Sequence, residues 1–248
     1  MDRICGFKDA FENLLEKEAG KHKKFVKDGV VDYDIFCRQP IKILWILKET
    51  NDREGKCTDL REFLKAPDSY LLWKRTWLPV LQVSIALLSG VENTGSNNFE
   101  SVKSSLRINC REYFSVFRGI AAINLNKLPG NKSIPSKELV KRYGQFRNII
   151  LSQVRLIDPD VIICCGVFWV MRNDLECFKI DHNEAAYATR DILLKDLNKL
   201  KSKIKAHYNT RRIFIETLHP NQRVISHKLY FESIVDTAKS WLQSKTVT

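Results

Sequence analysis

Three short polar segments carry residue types that can act together on one bond. They are Glu49, Asn51 and Asp52; Asn124 and Lys127; and His219 and Asn221. A carboxylate steadies positive charge or orients water, an amide reads an amide-like base edge, and an imidazole donates to a developing oxyanion. That mixture suits cleavage of a bond to a heterocycle. It works only where the three groups meet, so the elements that lead into them decide the matter.

Each polar segment follows a short apolar run. Residues 41–47 (IKILWIL) precede Lys48-Glu49-Thr50-Asn51-Asp52, residues 119–125 precede the loop 126–132, and residues 212–217 precede Leu218-His219-Pro220-Asn221. Residues 161–165 form a fourth run, closed by Gly166. Continuous apolar runs of this length read as buried parallel strands. Between them the spacing predicts helices over 9–27 (Phe11, Leu14, Leu15 and Phe25 on one side), over 71–90 with Pro79 as a kink or break, and over 136–157, ended by Asp158-Pro159-Asp160. Further helices are expected around Leu193 to Ile204 and over 226–243, with a surface loop at 95–98 and an irregular insertion at 168–190. Strands alternating with helices, without repeats or a linker, predict one single-domain three-layer α/β/α fold with a mainly parallel sheet. In such a sheet neighbouring strand ends open on the same edge, and loops after buried strands hold the site.

The chain has 248 residues, 44% of them hydrophobic, with only 10 Gly and 7 Pro. That excludes a disordered, collagen-like or low-complexity protein. Lys and Arg number 41 against 29 Asp and Glu, a surplus of 12 positive charges that attracts phosphate backbones. No apolar run reaches the roughly 18 residues of a membrane span, and the charged start has no secretory h-region. The 7 Cys form no C-x-x-C pair, so reduced thiols in the cytoplasm are expected rather than disulfides or a metal site. The segment Pro129-Gly130-Asn131-Lys132-Ser133 lacks the G-x-x-x-x-G-K-[ST] spacing, which excludes nucleotide hydrolysis by a phosphate-binding loop.

The segment Ile123-Asn124-Leu125-Asn126-Lys127-Leu128-Pro129-Gly130-Asn131-Lys132 resembles the N-x-x-K…P-G-N-R stretch of the iron–sulfur-type uracil-DNA glycosylases. Gln153-Val154-Arg155-Leu156-Ile157-Asp158-Pro159-Asp160-Val161-Ile162-Ile163 with Gly166 is similar to their Q-I-x-L-I-x-P-x-V-I-V-x-x-G. His219-Pro220-Asn221-Gln222-Arg223 resembles the His-Pro loop of the wider superfamily, and Glu49 falls where these enzymes have the Glu of G-E-A-P-G. The order holds over residues 41–240. Departures are equally plain. Lys48-Glu49-Thr50-Asn51-Asp52 replaces the glycine loop, Asn221 replaces the Ser after His-Pro, and Leu128 stands at a cluster cysteine. The N-terminal cysteine pair is absent as well, so neither an iron–sulfur cluster nor another cofactor is expected.

The resemblance implies a mechanism. A nucleotide leaves the duplex and its base enters a pocket at the sheet edge. Asn124 binds the base edge, and His219 donates to the base carbonyl that gains charge. Glu49 stabilises the sugar cation and positions water, with Asp52 as the alternative for water and Asn51 beside the base. Phe63 is the stacking candidate, or else a core residue, with Tyr70 and Trp73 as competitors. Arg223 is the wedge that fills the emptied stack, while Lys127, Lys132, Arg172, Asn221 and the backbone at Gly166 contact DNA. The expectation is therefore a monomeric, monofunctional DNA glycosylase that removes uracil or a larger modified pyrimidine, in repair or in attack on foreign modified DNA. The alternatives are a module of the same fold that binds DNA without cutting and, more weakly, an enzyme of free nucleosides.

Overall fold

Four apolar runs bury both of their faces, so helices must cover the sheet on both sides. The computed structural model describes residues 2–52, 57–65, 76–89, 98–109, 111–130, 134–178 and 204–245. Its strands are β1 (Gly29–Val30), β2 (Ile43–Leu47), β3 (Thr50–Asn51), β4 (Ala121–Asn124), β5 (Pro129–Gly130), β6 (Val161–Cys165), β7 (Lys205–Tyr208) and β8 (Ile213–Thr217). Its helices are α1 (Asp2–Ala19), α2 (Tyr33–Cys37), α3 (Leu60–Lys65), α4 (Trp77–Leu88), α5 (Phe99–Asn109), α6 (Ser115–Arg118), α7 (Ser136–Ile157), α8 (Phe168–Met171) and α9 (His227–Lys245).

Six strands form one sheet in the order β1-β4-β2-β6-β8-β7. The inner four are parallel; β1 and β7 run antiparallel at the two edges. The fold is thus α/β with a mainly parallel sheet, and the antiparallel edges are the feature the apolar runs did not announce. Alternate strand residues face opposite layers. Trp45, Leu47, Ile163 and Ile215 pack under α4, α5 and α9, while Leu44, Ile46, Ile123 and Phe214 pack under α1 and α7. Trp45 Nε1 donates to Ser84 Oγ at 3.1 Å, which satisfies the polar atom that so large a buried ring carries inside.

The helix over 136–157 appears as expected, and Asp158 ends it in the left-handed conformation with φ 48°. The first helix ends at Ala19 rather than residue 27. Gly20 weakens its continuation, and Phe25 is buried from the turn that follows. Pro79 lies in the first turn of α4, where no intrahelical N–H is missed, so the helix runs on through it. Apart from Asn98 and Ile204, the expected loop at 95–98 and helix at 193–204 lie outside the described residues.

A buried polar cluster ties the β1 entry, the loop after β4 and α7 together. Lys127 Nζ donates to Asp28 Oδ1 and to Gln153 Oε1, both at 2.6 Å, and the lysine is 0% exposed. Gln153 Nε2 returns bonds to Asp28 O (3.1 Å) and Oδ1 (3.0 Å). Asp28 Oδ2 accepts from the Asn124 amide at 2.8 Å. Burial pulls the Lys127 ammonium below its usual range, and the Asp28 carboxylate opposes that. Removing one partner of such a pair leaves an uncompensated charge, so Lys127→Met should cost about 3–5 kcal/mol in urea unfolding. Adding Asp28→Leu to Lys127→Met should recover part of that loss.

Candidate functional site

The loops after β2, β4, β6 and β8 all open at the carboxyl edge. The chain passes from β2 to β4 on one side, then crosses to β6 on the other, which makes a switch point beside β2. Two residues leave the end of β2 there, Lys48 and Glu49. Glu49 lies on the β4 side: its Oε2 accepts from Asn126 Nδ2 at 3.2 Å. The Asn126 amide is itself fixed, since Leu128 N donates to its Oδ1 at 3.1 Å. Glu49 Oε1 is buried and, among the described residues, has no hydrogen-bond partner. Burial raises the carboxyl pKa above its usual value, against the Asn126 hydrogen bond and the charges of Lys48 and Arg142.

A small clip positions this acid. β3 pairs in parallel with β5, Thr50 opposite Pro129 and Asn51 opposite Gly130. Asp52 N extends the clip by donating to Gly130 O at 3.2 Å. The Glu49 side chain crosses Gly130 so closely that an added Cβ would lie 2.3 Å from its carboxyl carbon. Asn124 is nearly fully buried at the end of β4, and its Nδ2 donates to Thr50 Oγ1 at 3.2 Å. Among the described residues its Oδ1 accepts no hydrogen bond.

On the other side, Gly166 follows β6 with φ +67°, a left-handed conformation that favours glycine. A Cβ there would lie 3.4 Å from His219 N, 3.8 Å from His219 Cβ and 3.7 Å from Lys48 Cε. His219 and Lys48 therefore flank the same glycine. The His219 Nδ1 accepts from Asn221 N at 3.2 Å, so the neutral ring carries its proton on Nε2. Burial lowers its pKa to about 4, and the Lys48 charge adds to the effect. The result is a neutral imidazole whose Nε2–H can donate. β2 and β8 are separated only by β6, a strand-to-strand distance of about 10 Å.

Glu49, Asn124 and Asn126 form one connected group, and His219 joins Lys48 across Gly166. Lys48 links the two groups, because its charge acts on both Glu49 and His219. Sequence reasoning passed over Lys48 and Asn126. Asn126 had a signal: it is two residues beyond Asn124 in extended chain and so belongs to the same face. Gln222 was also passed over. Its Oε1 accepts from Ile225 N at 2.8 Å and its Nε2 donates to Ile225 O at 3.0 Å, which fixes a loop that leaves Asn221, Arg223 and Val224 exposed.

Several expectations need correction. Lys127 cannot contact DNA from its place in the buried Asp28–Gln153 cluster. The Gly166 amide donates to Thr217 O at 2.7 Å, and α8 behind it has only four residues, so the backbone there is no phosphate cradle. Asp52 is tied to the backbone, its Oδ2 accepting from the Cys57 amide. Asn51 is exposed and serves the clip through its backbone. Phe63 is half-buried and packs against the core on the α4 side. Arg172, by contrast, is exposed beyond α8, as a surface contact requires. Lys132, Tyr70 and Trp73 lie outside the described residues.

Among the described residues no group of three His, Cys, Asp or Glu side chains converges on a metal position. None of the described helices is long and apolar enough to cross a membrane. No protein-family model matches the chain, and no curated protein matches it.

The His219 geometry makes a direct expectation. In long-range ¹H–¹⁵N spectra its ring should stay the Nε2–H tautomer at pH 6 and titrate near pH 4. The unfolded chain binds this proton near pH 6.5, so between about 4 and 6.5 folding stability should rise with pH through this residue. His219→Gln should flatten that part of the pH–stability curve.

Proposed function

We propose that this chain is a DNA glycosylase of the uracil-DNA glycosylase type, which hydrolyses the bond between an extruded pyrimidine and its deoxyribose. The observation that carries this reading is the Glu49 carboxylate: one oxygen held by Asn126, the other buried without a partner, at the same sheet edge as a neutral His219 donor. A buried acceptor without a donor is costly in a resting fold and useful where a ligand arrives.

The division of work follows from the chemistry. As the C1′–N1 bond stretches, the sugar becomes cationic and the base anionic. Glu49 faces the sugar, stabilises its charge and takes the proton of the attacking water. Asn124, with a free Oδ1, accepts from the imide N–H of the base. His219 donates Nε2–H to the base carbonyl; removing such a donor costs on the order of 10²–10³ in rate. A pyrimidine leaves as a delocalised anion, so a second carboxylic acid is not required. Arg223, presented outward by the Gln222-fixed loop, suits the gap left in the stack, and the surplus of 12 positive charges suits the phosphate backbone. The Thr50–Asp52 clip stands in place of a glycine turn, and the target within this reading is uracil or a larger modified pyrimidine.

The test is base release from oligonucleotides carrying uracil, 5-hydroxymethyluracil and modified cytosines, read as alkali-labile sites. Wild type should cut at least one, while Glu49→Gln and His219→Ala should lose about 10²-fold or more with DNA binding retained. Gly130→Ala should lose activity similarly, because the new Cβ displaces the Glu49 carboxylate. Salt-dependent DNA binding by wild type with no abasic product on any base would overturn the enzyme reading in favour of a non-cutting module.

A further inference from the structure

Lys48 and Glu49 are consecutive residues of opposite charge that diverge. Glu49 crosses Gly130 on the β5 side, and Lys48 crosses Gly166 on the β6 side. Each long side chain passes a glycine: a Cβ at 130 would collide with the Glu49 carboxyl, and one at 166 would only touch Lys48 Cε, at 3.7 Å. Among the described residues the Lys48 ammonium makes no ion pair or hydrogen bond, although a carboxylate with an unpartnered buried oxygen is its chain neighbour. It lies instead beside His219, the group assigned to the base.

We propose that Lys48 is a further catalytic residue of this site: its ammonium, lying beside His219 across Gly166, takes up the negative charge that the departing pyrimidine gathers as its bond to deoxyribose breaks. This rests on the glycosidic-cleavage reading above and assigns the charge within it. The two sides of the crevice then match the two ends of the breaking bond, carboxylate toward the sugar and cation toward the base. The electron pair of the C1′–N1 bond leaves with the base and spreads over N1, O2 and O4. Lys48 and His219 keep their protons and transfer nothing. Water adds to C1′ and gives its proton to Glu49, which passes it through solvent to the base anion, so one water is consumed and the free base and an abasic sugar result. The Lys48 charge also favours an ionised Glu49 and a neutral His219, the states those roles need.

A cation that stabilises the leaving base matters most for poor leaving groups. Single-turnover release is therefore compared for uracil, 5-hydroxymethyluracil and 5-fluorouracil, whose fluorine already stabilises the anion, in the same duplex with wild type, Lys48→Met and Lys48→Arg. Lys48→Met should lose far more on uracil than on 5-fluorouracil, widening the ratio between them by about tenfold. Lys48→Arg should hold that ratio near the wild-type value. The ratio is taken within one preparation, so a partly folded variant does not distort it. An equal loss on all three bases overturns the assignment, whether it comes as slower release throughout or as weaker DNA binding with a shallower salt dependence, the mark of a phosphate contact. Wild type that releases none of the three overturns this assignment, and if it releases no modified cytosine either, the glycosylase reading falls with it, an outcome distinct from the first.

Discussion

The buried ammonium of Lys127 is the constraint from which the carboxyl edge is built. Its two acceptors come from different parts of the chain, Asp28 before β1 and Gln153 within α7. Asp28 also receives the backbone amide of Asn124, so the same carboxylate that neutralises the lysine sets the end of β4. Leaving any member out would strand a charge or a polar group in a dry interior, where water cannot substitute. The loop after β4 is therefore held from below before it touches anything at the site.

Above that foundation, the site is a matter of reach and room. Asn126 fixes one oxygen of Glu49, and the β3–β5 clip fixes the backbone that follows it. Gly130 leaves space for the Glu49 side chain, while Lys48 passes Gly166 on the other side of β2. Two opposite charges that are neighbours in the chain are thereby kept from pairing with each other. A strand end polarised in this way suits a bond that breaks into a cation and an anion, because fixed charges need little reorganisation as the charges separate.

Much of the frame was legible in the sequence. The runs 161–165 and 136–157 coincide with β6 and α7, and the other three inner strands fall within their apolar runs. Local patterns suffice for these, since burial on both faces or on one helical face leaves its own spacing. The antiparallel edges were not legible. β1 has two residues, and β7 is polar and half-exposed, so neither leaves an apolar run. Glu49, Asn124 and His219 were picked out because each ends or follows a buried strand. Asp52, Lys127 and Gly166 were picked out by the same logic, yet each is committed to a backbone or buried partner.

By itself the sequence determined that the chain makes an α/β sheet and that polar residues gather at the ends of its strands, because both follow from the order of apolar and polar residues over a few positions. Only the tertiary structure decided which of those polar residues are spent on the fold and which keep an unpaired group at the carboxyl edge. Lys127 finds its counter-ion 99 residues away, and Glu49 meets its amide 77 residues away, pairings that no local spacing encodes. Burial then changes what each group is, leaving Lys127 locked to Asp28 inside the fold and Lys48 without a partner among the described residues at the carboxyl edge.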